Sequence, residues 1–162
     1  MEICYLDSPV GLLEISGDQE GIQAVKFENA FVKPENLPEC KDLPQPLVAA
    51  KKQLKEYFAG QRSVFDLPLK QAGTEFQLKV WNELLKIPFG KTISYLELAH
   101  RLGDAKVIRA AASANGKNPL VILIPCHRVI GTKGDLVGFG GALWRKKILL
   151  DHEAPYRQEK LF

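Results

Sequence analysis

Hydrophobic and polar positions alternate over the first 27 residues, as they do in strands with one buried face. Ile3-Cys4-Tyr5-Leu6, Gly11-Leu12-Leu13-Glu14-Ile15 and Ile22-Gln23-Ala24-Val25-Lys26-Phe27 carry the pattern. Ser8-Pro9 and Gly17-Asp18 separate them as turns, so three short strands are predicted. Pro34, Pro38, Pro44 and Pro46 make residues 33–46 an irregular connection. The period then lengthens: Leu47, Val48, Ala50, Leu54, Tyr57 and Phe58 fall at helical spacing, predicting a helix from about Pro46 to Ala59 with Gly60 as its stop. Phe65-Asp66-Leu67 is expected to return to the small sheet.

Past Gln71–Gly73 the pattern becomes helical, which suggests a small domain over 1–72 and a second over 73–162. Thr74 is placed to cap a helix carrying Phe76, Val80, Trp81, Leu84 and Leu85, ending by Ile87 because Pro88 disfavours helix before it. Ser94, with Glu97 three positions on, predicts a capping box at the head of Tyr95–Leu102. Gly103-Asp104 makes a tight turn and Ala105–Asn115 a further helix. Helix, Gly-containing turn, helix is the outline of a helix-turn-helix, an outline many other helix pairs share. Two glycine-rich stretches follow, then a last helix around Leu143–His152.

Composition narrows the class. At 162 residues, 46% hydrophobic and 25% charged, the chain reads as an ordinary globular protein. No apolar run reaches the roughly 20 residues of a membrane span, and the first residues lack a secretory pattern. An intracellular location is expected, cytoplasmic, or nuclear in a eukaryote. Cys4, Cys40 and Cys126 include no CxxC pair, which argues against a disulfide framework and a zinc knuckle. Residues 1–70 hold 8 basic against 11 acidic side chains, and residues 71–162 hold 14 against 8. A basic second half suits a polyanionic partner, though a solvated lysine-rich face gives the same count.

The candidate chemistry lies in Asn118-Pro119-Leu120-Val121-Ile122-Leu123-Ile124-Pro125-Cys126-His127-Arg128-Val129. A short apolar run, read as a buried strand or extended segment, delivers a thiol beside an imidazole and a guanidinium. A lone cysteine is commonly a small hydrophobe; a neighbouring base or cation raises its thiolate fraction.

These residues resemble the 6-O-alkylguanine-DNA alkyltransferases. The likeness spans nearly all of 74–162. It includes Ile124–Val129, Asn118-Pro119, Gly90-Lys91-Thr92-Ile93-Ser94-Tyr95, Arg109 and Leu149-Leu150-Asp151-His152-Glu153; residues 1–70 match the family's variable N-terminal domain only in outline. The resemblance implies a small α/β N-terminal domain, ribonuclease H-like, followed by a mainly α C-terminal domain with a helix-turn-helix. It implies repair of double-stranded DNA containing alkylated guanine (with alkylated thymine as a further substrate) by a monomer that uses no cofactor. Cys126 would be the acceptor, His127 and Glu153 its proton relay, Asn118 the holder of its turn, and Tyr95 a hydrogen-bond donor to the leaving base.

On the DNA side the resemblance implies Arg109 as the residue filling the gap left by the flipped base. Ser94, Ala110, Ser113 and Arg128 would complete the DNA contacts, with Val129, Phe139 and Gly140 lining the pocket. Phe139 stands where the family commonly has Tyr, Ala142 where a second Gly is usual, and Arg109 is followed by Ala110-Ala111-Ala112-Ser113 where a Val-Gly pair is common. No zinc ligands can be placed, so no metal is expected. The competing readings are a lesion sensor without repair, a Cys–His hydrolase and a transcription regulator. The first is disfavoured by the presence of Cys126. The second leaves the helix pair and Arg109 unexplained, and the third lacks room for its added metal module.

Overall fold

The computed structural model describes residues 1–29, 41–134 and 142–154. Cys40, Phe139, Gly140, most of the proline-rich connection and the Val137–Gly141 stretch lie outside them. Among the described residues no helix is long and apolar enough to cross a membrane.

The alternating N-terminal residues form an antiparallel meander of β1 (Glu2–Ser8), β2 (Gly11–Asp18) and β3 (Gly21–Phe27). Register follows the pattern: Cys4 faces Ile15, Leu6 faces Leu13, and Ile15 faces Val25, all buried. One face of the meander thus presents a continuous apolar layer. A bulge at Ser16/Gly17 brings Gly17 so close to the Gly21 carbonyl that a side chain there would clash. Helix α1 (Gln45–Phe58) covers the layer, burying Leu47, Ala50, Leu54 and Tyr57 on one stripe.

Two irregular segments line the free edge of β3. Ile22 donates to the Pro68 carbonyl and accepts from the Lys70 amide, both at 2.8 Å. Val25 donates to Pro119 at 2.9 Å and accepts from Val121 at 3.2 Å. The return to the sheet therefore falls at 68–70 and not at Phe65–Leu67. The side-chain amide of Gln53 intercepts Asp66 instead, donating to its carbonyl at 3.0 Å and accepting from its amide at 2.9 Å. Residues 119–123 accordingly belong to the compact unit of the sheet, Met1–Ala72 with Pro119–Leu123. Their apolar run is no regular strand. After its bridge at Leu120 it turns sharply at Ile122, whose φ of 72° closes a Leu123 N–H to Val121 carbonyl bond of 2.8 Å. This left-handed γ-turn at a β-branched residue stores on the order of 1–3 kcal/mol of strain.

The second unit comprises Gly73–Asn118 and the described residues from Ile124 onward. Its helices are α2 (Glu75–Leu84), α3 (Tyr95–Arg101), α4 (Ile108–Gly116) and α5 (Leu143–Glu153). A short parallel pair joins β4 (Ile93–Ser94) to β5 (Val129–Ile130). Thr74 caps α2 and exchanges bonds with Gln77 as a full capping box. Buried Trp81 donates to the Ala114 carbonyl at 2.9 Å, fastening α2 to α4. Ser94 caps α3 by accepting from the Glu97 amide at 3.0 Å, while the Glu97 carboxylate turns to Arg101 one turn on. Asp104 then accepts from Lys106, and Ala105–Val107 forms a 3-10 turn, so the helix expected from Ala105 becomes α-helical only at Ile108.

Candidate active site

Pro125 has φ −80° and ψ 64°, a tight turn that returns the Cys126 amide to the Ile124 carbonyl at 2.8 Å. Cys126–Arg128 follows as a 3-10 turn. Two asparagines from the end of α4 secure this bend. Asn118 Nδ2 donates to the Ile124 carbonyl at 2.8 Å, and Asn115 Nδ2 to the Cys126 carbonyl at 3.3 Å. The thiol is thereby fixed with only 4% of its residue surface exposed. Burial pushes the Cys126 thiol up, against smaller downward pulls from Asn118 and the positive charge of Lys146.

Behind it lies a fully buried polar cluster. His127 Nε2 is 2.8 Å from Glu153 Oε2. Arg128 grips the same carboxylate through Nε at 2.8 Å and Nη2 at 3.2 Å, and gives Nη1 to the Ile87 carbonyl at 2.7 Å. The Gly90 amide adds a further bond to Glu153 at 3.3 Å. These donors hold the Glu153 carboxyl well below the usual carboxylate range in spite of its burial. Burial pushes His127 down, which favours the neutral imidazole. With Nε2–H donating to Glu153, the lone pair stays on Nδ1. That atom is buried and has no partner among the described residues. An oriented histidine with a spare acceptor nitrogen, on the residue that follows a buried thiol, can serve as a base for that nucleophile.

Tyr95, at the start of α3, and Lys146, on α5, close the other side. Burial, with Cys126 second, pushes the Tyr95 hydroxyl up to about 12, so it remains a donor. Lys146 is fully buried; its Nζ donates to the Val129 carbonyl at 2.6 Å and lies 5.6 Å from the Tyr95 ring centre.

Cys126, His127, Glu153, Tyr95, Asn118 and Val129 are thus all buried residues of the second unit. Arg109, Ala110 and Ser113 lie on the exposed face of α4, opposite buried Ala111, Ala114 and Asn115. Ser94 is half-buried, its hydroxyl engaged as the α3 cap. Arg128, expected among the DNA contacts, is 6% exposed and turned inward to Glu153 and Ile87, so its guanidinium organises the site. Sequence reasoning missed Asn115 and Lys146. Lys146 shares one face of α5 with Leu149, Leu150 and Glu153, and a lysine on a buried face was the available signal. No group of three or more His, Cys, Asp or Glu among the described residues is arranged to hold a metal.

A thiol nucleophile backed by a carboxylate-held histidine, in a chain with a separate sheet unit, defines a cysteine-acceptor or cysteine-hydrolase class. Comparison with known proteins separates the two. Residues 3–71 match the ribonuclease-like domain of 6-O-methylguanine DNA methyltransferase and residues 75–155 its DNA-binding domain. The chain belongs to the 6-O-methylguanine DNA methyltransferase family, with that family's two-domain architecture. It is 40% identical to the methylated-DNA–protein-cysteine methyltransferase of Methanosarcina acetivorans, over 94% of this chain and 98% of that one. It is 39% identical to the constitutive enzyme of Bacillus subtilis, over 95% and 96%. The Mycobacterium tuberculosis OGT solved in complex with DNA superposes with a TM-score of 0.82 at 39% identity, covering 94% of this chain and 92% of that one.

Proposed function

We propose that this protein repairs DNA by transferring the alkyl group of 6-O-alkylguanine to Sγ of Cys126, irreversibly and once per molecule. The observation that carries the proposal is the His127 geometry. Glu153 occupies Nε2, leaving Nδ1 as a buried acceptor on the residue adjoining the thiol. As in the family, His127 takes the thiol proton through a water, and Glu153 steadies the resulting imidazolium. The thiolate attacks the alkyl carbon, the carbon–oxygen bond breaks, and its electron pair goes to the guanine. Tyr95 supports that charge by donating to the ring, which its raised pKa permits. The product is a thioether with no ready leaving route. Hydrolysis by a Cys–His pair would require release of the group from sulfur, and an alkyl thioether offers none.

The α3–α4 pair acts as the helix-turn-helix. Its exposed small face (Ala110, Ser113) permits close approach to the minor groove, and Arg109 enters the stack as the target base flips into the pocket. Ser94 contributes at the mouth of the site. The N-terminal domain adopts the ribonuclease H-like arrangement. The substrate is double-stranded DNA met by a monomer without a cofactor, in the compartment holding the chromosome. The DNA-bound mycobacterial relative supports this reading. The test is a titration of lesion duplex against protein: restored guanine should plateau at one per protein molecule. Continued turnover, or binding without restoration, would reject the proposal.

A further inference from the structure

Two buried side-chain atoms of the second unit find no hydrogen-bond partner among the described residues, His127 Nδ1 and Asn115 Oδ1. The relay water proposed above accounts for the first. Resting on the transfer reaction proposed above, we infer that Asn115 is a specificity residue: its Oδ1 accepts from the 2-amino group of the flipped base and so selects alkylguanine over alkylthymine.

The placement of Asn115 supports this assignment. It is 1% exposed, on the last turn of α4, which the Trp81 bond to the Ala114 carbonyl fastens to α2. Its Nδ2 donates to the Cys126 carbonyl at 3.3 Å, and its amide also reaches the Tyr95 hydroxyl, on which it exerts a hydrogen-bonding pull. The carboxamide thus adjoins both the alkyl acceptor and the residue that donates to the base. Its orientation is settled as well. Turning the amide over would set Oδ1 against the Cys126 carbonyl, oxygen to oxygen, so Oδ1 remains the free acceptor. Leaving a buried acceptor empty is costly, which calls for a donor brought in from outside. The edge of 6-O-alkylguanine has one to offer. Alkylation at the oxygen removes the proton from the neighbouring ring nitrogen, and the 2-amino group remains as the donor between two acceptor nitrogens. Tyr95 donating to either nitrogen brings that amino group against Asn115. In 4-O-alkylthymine a carbonyl oxygen stands in its place and would meet Oδ1 acceptor to acceptor.

The test compares single-turnover transfer from duplexes carrying 6-O-methylguanine, 6-O-methylhypoxanthine (which lacks the 2-amino group) and 4-O-methylthymine. The wild type should be about tenfold slower on 6-O-methylhypoxanthine than on 6-O-methylguanine. Loss of the electron-releasing amino group makes hypoxanthine the better leaving group, so a slower rate there reports recognition. Transfer from 4-O-methylthymine should be slower still. Asn115→Met removes the acceptor and should shrink both rate ratios by about tenfold. Ratios are taken within one protein, so a general loss of rate from the missing Cys126 bond cancels. Equal wild-type rates on the guanine and hypoxanthine lesions would overturn the inference, and no folding defect of a variant can obscure that outcome. Ratios unchanged in Asn115→Met would overturn it equally, placing the reading of the amino group elsewhere. Failure of the wild type to restore any of the three lesions would overturn the transfer reaction itself.

Discussion

The two units bury different chemistry. The sheet unit fills its interior with Leu13, Ile15, Val25, Leu54 and Tyr57, and among its described residues Ser16 and Gln53 are the polar residues that are buried as a whole. The other unit buries Asn115, Asn118, His127, Arg128, Arg145, Lys146 and Glu153. Apolar burial at about 25 cal/mol per Å² stabilises a fold directly. A buried ion network seldom does so, and breaking one is costly. The second unit therefore carries an energetic burden that the first does not, and the His127–Arg128–Glu153 network that follows Cys126 in the chain is part of it.

The largest expected effect tests where the chemistry resides. Cys126→Ala should abolish methyl transfer while retaining lesion binding by gel shift; residual transfer would move the acceptor elsewhere. Glu153→Gln comes next. It leaves Arg128 buried without its counter-charge and His127 without its orienting carboxylate. A loss of about 3–5 kcal/mol in urea unfolding and of roughly a hundredfold in transfer rate is expected. A neutral result would show that the network is dispensable.

Leu54→Ala supplies the contrast. Opening a cavity under the sheet should cost about 2–5 kcal/mol, yet Cys126 should react with iodoacetamide at the wild-type rate well below the melting temperature. A slowed thiol would break the division between the units.

The buried network also sets a pH dependence. The folded His127 has its pKa below the ordinary 6.5, so protonation favours the unfolded chain. The stability associated with it is complete above 6.5 and is lost as pH falls from there toward the folded value. Glu153, also lowered, adds a loss at still lower pH, below its unfolded value of 4.5. The urea midpoint should thus fall on acidification from pH 7, with the same slope in Leu54→Ala; in Glu153→Gln the His127 part of the fall should be at least as large, because the carboxylate that draws its pKa up is gone. The smallest effect is at Ala142, which caps α5 at φ 86° and ψ 143°, a conformation that suits glycine. Ala142→Gly should stabilise by about 1 kcal/mol, read as a raised midpoint in the same titrations.

Much of this contrast was legible in the sequence. Alternation gave the three strands, helical spacing gave α1, and Thr74 and Ser94 marked the heads of α2 and α3, because each of these signals is local. Adjacency in Pro125-Cys126-His127-Arg128 pointed to the centre of the site. What local signals missed were competitions between distant groups. Gln53 captures Asp66 from across the unit, so the return to the sheet shifts to 68–70. Ile122, a strand former by its branching, is held in a left-handed turn that its own sequence opposes. Arg128 was expected among the DNA contacts, and its partners are 25 and 41 residues away in the chain. Lys146 was not singled out in a basic half, although its spacing from Leu149, Leu150 and Glu153 placed it on the buried face of α5.

The most direct test of the account is mass spectrometry of the intact protein and its peptides after incubation with a duplex containing one 6-O-methylguanine. The account predicts a single methyl group on the peptide bearing Cys126, with unmodified guanine left in the DNA. An unmodified protein bound to an unrepaired lesion would contradict it.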